Sequence, residues 1–143
     1  MTQWQPGIEY ATSPLDDLAI ANGCYFDQAA AEKFETRCEK YLRVVDGRYA
    51  RKPFKLLDFQ KIDITRPLLG WKREDGTRRY RKAYISMGKK NGKSALCGAL
   101  TLDGLLWDGE VSPLACLAGF DRQQAGEIYR DCVRMVKVNP ELR

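Results

Sequence analysis

The chain has 143 residues, 44% of them hydrophobic and 30% charged, with a formal net charge of +5 and no histidine. That is enough apolar material for one core, and no apolar run approaches the roughly 20 residues that cross a bilayer. The missing imidazole excludes His-ligated zinc, Ser-His-Asp triads and histidine general bases, while the five cysteines, at 24, 38, 97, 116 and 132, form no Cys-x-x-Cys pair and read as reduced, buried thiols of a cytosolic protein.

Charge is unevenly spread. Residues 1–46 sum to −4, residues 47–93 to +11 and residues 94–143 to −2. A positive middle third favours a polyanion, either nucleotide phosphates or a nucleic-acid backbone. A solvated basic surface without a ligand is the alternative.

Met1–Gly23 reads as an irregular lead-in, with no basic start or apolar stretch of a secretion signal. Within it, Ser13 caps a short predicted helix, Pro14–Ala21. Asp27 caps the next, from Gln28 to about Val45, whose apolar stripe is Ala30, Phe34, Cys38, Tyr41, Leu42 and Val45. A further helix begins near Asp58 and ends before Pro67. Glu74-Asp75-Gly76-Thr77 is a turn signal that makes Trp71–Tyr80 a β-hairpin. Its basic arms, Lys72-Arg73 and Arg78 to Lys82, read either as a DNA or subunit contact or as edge-protecting charges. Arg79–Met87 reads as a strand, Gly88–Ser94 as a loop and Ala95–Trp107 as a buried helix. Leu114–Ala118 is a second apolar strand, and Gly119-Phe120-Asp121 turns the chain into a last helix, Arg122–Val138. Strand, helix, strand, helix in that order predicts an α/β fold with a parallel sheet and flanking helices, preceded by a mainly helical segment with a β-hairpin.

The loop Met87-Gly88-Lys89-Lys90-Asn91-Gly92-Lys93-Ser94 carries the chemistry. A phosphate-binding P-loop needs a strand, a turn whose N–H groups encircle phosphate oxygens, and a helix whose N-terminus faces the anion. Gly92 permits close backbone approach, Lys93 neutralises the β/γ-phosphates and the Ser94 hydroxyl ligates Mg2+. The standard spacing puts a glycine five residues before Gly92, where Met87 stands, so the loop is a deviant P-loop. A lysine-rich turn that happens to contain Gly-Lys-Ser is the competing reading.

Lys89-Lys90-Asn91-Gly92-Lys93-Ser94 resembles the deviant P-loop of large terminase subunits, the ATP-driven DNA-packaging motors of tailed bacteriophages. Further collinear similarities accompany it. Pro53-Phe54-Lys55-Leu56-Leu57-Asp58-Phe59-Gln60 looks like that family's adenine-recognition segment. Gly70-Trp71, Arg78-Arg79-Tyr80-Arg81 and Ala83-Tyr84-Ile85 look like the hairpin and strand before the loop. Asp121-Arg122-Gln123-Gln124-Ala125 resembles the stretch after the second core strand. The resemblance implies ATP and Mg2+ as cofactors. Gln60 then hydrogen-bonds the adenine edge, Phe59 or Phe54 contacts the base, and Gly88, Lys90, Asn91, Gly92, Lys93 and Ser94 form the phosphate site, Ser94 also holding the metal. Lys89 takes the place of the family's P-loop arginine, keeping its charge but not its planar fork. Lys93 and Lys89 are thereby the implied catalytic residues. Asp121 reads equally well as a plain helix N-cap.

By the same resemblance the segments are a lead-in (1–23), a helical lid-like part with the adenine motif (24–70) and the first part of a P-loop ATPase core (71–143). The acidic strand that hydrolysis needs is not found here. Leu102-Asp103 and Trp107-Asp108-Gly109-Glu110 lie too close to the loop to serve. The expectation is an N-terminal, nucleotide-binding part of the subunit, an incomplete P-loop NTPase. The full machine acts in the host cytoplasm on duplex DNA, with a small terminase subunit, a portal protein and sister subunits in a ring, and no membrane. A helicase-like P-loop ATPase and a non-enzymatic basic nucleic-acid-binding module are the other readings.

Overall fold

Proline is tolerated at the start of a helix because the N–H it lacks has no partner there, and carboxylates in the first turn face the positive end of the dipole. In the computed structural model, which describes residues 13–142, the first helix, α1, accordingly spans Pro14–Ala21, with Asp16 and Asp17 in its first turn. The lead-in expected over residues 1–12 lies outside the described residues. The chain divides into two units. One is built from residues up to Glu35 and from Leu57–Ile85, the other from Thr36–Leu56 and from Ser86 onward.

In the first unit, β1 (Tyr25–Phe26) pairs antiparallel with β2 (Trp71–Lys72), Phe26 opposite Trp71. The two rings meet edge-to-face, centroids 5.8 Å apart, and with Ala31 they form the core against which Ile20, Cys24 and Tyr80 pack. Gly70 must lack a side chain, because a Cβ there would come within 2.5 Å of the Phe26 ring. The predicted hairpin is present. Arg73 N–H donates to Thr77 O (2.9 Å), Arg79 N–H donates to Trp71 O (3.0 Å), and Gly76 supplies the left-handed turn residue at φ +79. Thr77 donates through its hydroxyl and its N–H to Asp75, and these bonds hold the Asp75 carboxyl below its ordinary pKa.

One basic residue of that hairpin is neither an edge charge nor a free contact. Arg79 turns inward, its Nη1 donating to Asp16 Oδ1 at 2.6 Å and its Nη2 donating to Leu15 O at 3.2 Å. Its guanidinium also covers the Trp71 ring at 5.0 Å. Asp16, 5% exposed, accepts in addition from the Tyr80 hydroxyl and the Ser13 hydroxyl. Burial pushes the Tyr80 phenol above its ordinary pKa.

The helical path that opens at Asp58 does not stop before Pro67, as its sequence predicts. It widens into a π-helical segment, Gln60–Thr65, and continues as α3 (Arg66–Gly70). Proline in an α-helix clashes with the carbonyl four residues back and leaves it unbonded. The wider register absorbs that defect, with Arg66 N–H reaching Lys61 O, five residues back. Glu35 holds the segment from outside, taking the Arg66 guanidinium at 2.7 and 3.4 Å and the Lys61 ammonium at 3.6 Å.

Helix α2 (Gln28–Tyr41) starts at its predicted cap, with Asp27 Oδ1 accepting from Ala30 N–H at 2.9 Å. It ends four residues short of Val45 because Arg43 folds back to cap it, donating to the carbonyls of Glu39, Lys40 and Leu42. In the second unit Cys38 and Leu42 are buried, as are Leu96, Ala99 and Leu102 of α4 (Lys93–Trp107) and Cys132 and Met135 of α5 (Arg122–Val138). α4 and α5 pack on each other where Gly98 gives the Cys132 thiol room, Sγ lying 3.6 Å from Gly98 O. Arg37 joins this unit to α4 through Asp103 at 3.0 Å, with Trp107 stacked on Tyr41 at 5.3 Å. Asn139, 5% exposed, donates to Tyr41 O at 2.7 Å and accepts from Glu141 N–H.

Two sequence expectations are corrected. Neither the stretch after the hairpin, Arg81–Met87, nor Leu114–Ala118 joins a helix or a ladder, so the described residues hold a two-stranded antiparallel sheet and no parallel one. A strand forms only when a neighbour accepts its ladder bonds. Without one, Tyr84 is 96% and Leu114 87% exposed. The cysteines are not uniformly buried either. All five are unpaired thiols, but Cys24 and Cys97 are half-buried and Cys116, within the second stretch, is exposed.

Replacing Arg79 by Met leaves the Asp16 carboxylate buried without its charge partner, and is expected to cost about 3 kcal/mol in urea unfolding. A cost near zero would show the pair to be dispensable. Burial raises the pKa of the Cys132 thiol. Its contribution to stability is therefore complete below the ordinary thiol range and lost as pH rises through the folded value. A thiol reagent at neutral pH should label Cys116 quickly and Cys132 only on unfolding. Equal labelling rates for the two would contradict the described burial.

Candidate functional site

A helix leaves the N–H groups of its first turn without backbone acceptors, and concentrates positive charge there. α5 deals with this internally. The Asp121 carboxylate accepts from Gln124 N–H at 2.7 Å, and Gln124 Oε1 accepts from Phe120 N–H at 3.0 Å, a reciprocal cap. Asp121 therefore acts in this structure as the N-cap, the plainer of its two sequence readings. α4 has no such device. Its N-cap is Gly92, and no side chain caps it.

The residues before α4 form a tight turn. Lys90 (φ +67) and Gly92 (φ +76) both have left-handed backbones, and Asn91 between them does not. Alternation of this kind turns successive N–H groups toward one side and makes anion-binding concavities. Lys90 adopts that conformation with a Cβ in place, which glycine would do without strain. Leu96 N–H donates to Gly92 O at 2.9 Å, closing the first helical turn. A Cβ on Gly88 would meet the Asn91 carboxamide at 3.4 Å. Lys89, Lys90 and Lys93 are exposed and Ser94 is half-buried. The second unit thus brings Gly88, Lys89, Lys90, Asn91, Gly92, Lys93 and Ser94 together around an uncapped helix start.

In the first unit, Gln60 is 3% exposed, its Oε1 accepting from Leu57 N–H at 3.0 Å. Phe59, next to it, is 36% exposed, whereas Phe54 of the second unit is buried at 7%. Of the two aromatics read as base contacts, Phe59 is the one that presents a ring to solvent. An open depression of about 460 Å3, lined by Asn22, Cys24, Arg73, Glu74 and Asp75, contains none of the predicted site residues. No group of three or more cysteines and carboxylates among the described residues is arranged to hold a metal ion. No described helix is long and apolar enough to cross a membrane.

Sequence reasoning placed Gln60 on a helix but had no signal for the π-helical register around it. It also missed Thr65, whose hydroxyl oxygen is buried with no hydrogen-bond partner. That orphan is produced by tertiary packing and leaves no trace in residue spacing.

Residues 58–143 match the family described as the terminase large subunit, ATPase domain. With more than half of its length matched, the chain belongs to that family. It is similar to the terminase large subunit of Enterobacteria phage HK97, with 30% identity over 106 residues, which is 73% of this chain and 20% of the relative. The chain therefore spans about a fifth of that relative's length. No solved structure matches it.

Replacing Thr65 by Val keeps the shape and removes the unbonded hydroxyl, so it should stabilise the protein by about 1 kcal/mol, read as a higher thermal midpoint. A lower midpoint would mean that the hydroxyl has a partner.

Proposed function

We propose that the Gly88–Ser94 loop and the start of α4 bind the phosphates of ATP, and that this chain is the ATP-binding part of a terminase large subunit. The observation that carries the reading is the contrast between α4 and α5. α5 supplies its own anion, Asp121, while α4 starts uncapped behind Lys89, Lys90 and Lys93. A polyphosphate satisfies such a terminus in charge and in hydrogen bonding.

On this reading the backbone N–H groups from Lys90 to Ser94 face phosphate oxygens, and Lys93 neutralises the β/γ-phosphates. Lys89 offers a point charge toward the γ-phosphate, without the bidentate grip of an arginine. Ser94 contributes one oxygen ligand to Mg2+. With no three-carboxylate cluster in the described residues, the ion is held largely by the triphosphate and water, as magnesium commonly is. When bound, Mg2+ neutralises charge on the phosphate oxygens. Gln60 reads the adenine edge, for which its Oε1 exchanges the Leu57 N–H, and Phe59 lies against the base. Asp103 is engaged by Arg37, so phosphate binding, rather than activation of water, is the step assigned to this chain's residues.

The fold proposed with this function is the P-loop NTPase type. Ala83–Met87 and Leu114–Ala118 enter a parallel sheet when neighbouring strands pair with them. The complete motor uses ATP hydrolysis to drive duplex DNA into a procapsid in the host cytoplasm, working with a small terminase subunit, a portal protein and a ring of sister subunits. Family membership and the similarity to the HK97 protein support this wider reading.

Mg·ATP should raise the thermal midpoint. The linkage is about 2.7 kcal/mol at a ligand concentration one hundred times Kd. Lys93→Ala should abolish the rise. Gln60→Ala should keep most of it and erase any preference for ATP over GTP. A midpoint unmoved by millimolar ATP in the unaltered chain would overturn the assignment.

A further inference from the structure

Beyond the end of α2 the chain folds back to present a basic loop. Phe54 N–H donates to Leu42 O (3.1 Å), Val44 N–H to Lys52 O (3.0 Å) and Arg51 N–H to Val44 O (2.7 Å). Arg43 and Pro53 form an antiparallel bridge. Ala50 N–H to Gly47 O and Lys52 N–H to Tyr49 O close the tip. The loop is therefore held by its own backbone, and Arg48, Tyr49, Arg51 and Lys52 all stand exposed on it.

Two features separate this loop from an ordinary charged turn. The first is the Tyr49 ring, with the Arg48 guanidinium 4.6 Å and the Lys52 ammonium 5.3 Å from its centre. The ring orders two long cationic side chains that otherwise lose rotamer freedom on binding an anion. The second is Arg51, which holds a left-handed backbone, φ +69, where glycine would sit without strain. A side chain retained in that conformation fixes a third cation on the turn.

The three cations are uncompensated. Among the described residues none has a carboxylate within ion-pair distance, and Asp46 at the base of the loop is taken by Arg134 at 3.1 Å. The other basic run is partly neutralised. Arg79 belongs to Asp16, and the charges of Arg73 and Arg81 act on Asp75.

We infer that the Arg48–Lys52 loop is a docking site for the phosphodiester backbone of duplex DNA. Its cations suit phosphate contacts, and it carries no Asn or Gln to read base edges, so binding is independent of sequence. The tyrosine ring is covered by two cations and offers no open platform for an unpaired base, which favours duplex over single strand. This inference is independent of the nucleotide reading and is tested without nucleotide.

The test is fluorescence anisotropy with a labelled mixed-sequence duplex, titrated from about 50 to 200 mM salt. Arg51→Gly removes one cation while relieving the left-handed strain, so loss of fold cannot account for loss of binding. Its affinity should fall several-fold and its salt slope should become shallower by about 0.9, with an equal or higher thermal midpoint. Tyr49→Leu keeps every charge and should also weaken binding. Lys33→Gln removes one charge from an exposed position on α2 and should leave the slope unchanged. The inference is overturned if the unaltered chain does not bind duplex, or if Arg51→Gly leaves affinity and slope unchanged. Equal losses from Arg51→Gly and Lys33→Gln, the mark of diffuse net charge, would overturn it too, as would tighter binding to the single strand.

Discussion

One apolar row on α2 is the constraint on which both units rest. Ala31, Phe34, Cys38 and Leu42 follow one another at spacings of three and four, and each is 1% exposed. Ala31 contributes to the Phe26–Trp71 core of the first unit, and Cys38 and Leu42 to the interior of the second. Around this row the polar face of the helix is also fully used. Glu35 takes the two cations of the π-helical segment, and Arg37 takes Asp103 of α4. A buried row this continuous tolerates little change, because each position loses both transfer energy and packing when shortened. The helix therefore fixes local geometry in each unit before any functional residue is considered.

The functional reading turns on how helix termini are satisfied. Every helix has the same electrostatic problem at its N-terminus, and sequence decides whether the answer is internal or external. α1 places Asp16 and Asp17 in its first turn, α2 uses Asp27, and α5 uses Asp121 with Gln124. α4 has neither an acidic residue in its first turn nor a side-chain cap, and the preceding turn is rich in lysine. An uncapped helix start surrounded by cations is unfavourable in isolation. It becomes favourable with a multivalent anion, which supplies acceptor oxygens and negative charge together. The family to which the chain belongs, terminase large-subunit ATPase domains, is one in which such an anion is expected.

Legibility in the sequence followed the range of the interactions involved. The bounds of α1 and α5 coincide with their predicted ranges, since caps, first-turn charge and apolar spacing act within a few residues. The hairpin turn at Gly76 was readable for the same reason. The inward turn of Arg79 was not, because Asp16 lies 63 positions away and nothing local distinguishes Arg79 from Arg78 or Arg81. The π-helical register was half legible. Pro67 announces a disturbance, but whether the helix ends or widens depends on Glu35 reaching across from α2 to hold Lys61 and Arg66. Of the candidate site, the identities from Gly88 to Ser94 were readable. The left-handed backbone of Lys90 and the burial of Gln60 were not, since each depends on the fold.

The two unformed strands follow from the same distinction. Ala83–Met87 and Leu114–Ala118 have strand-like composition, but a strand is a relation between segments, and composition supplies only one side of it. A helix bonds to itself, so α4 and α5 form without help from a sheet. A parallel strand needs a neighbour to accept its ladder and a layer to cover each face. Where neither is in place, apolar side chains such as Tyr84 and Leu114 stand in water. The phosphate-facing determinants belong to the self-sufficient class. Gly92's backbone, the three lysines and the uncapped turn of α4 all lie between Gly88 and the first turn of one helix. They are set by local chain geometry and helix electrostatics, so the features that point to a nucleotide are present in a chain whose sheet is not.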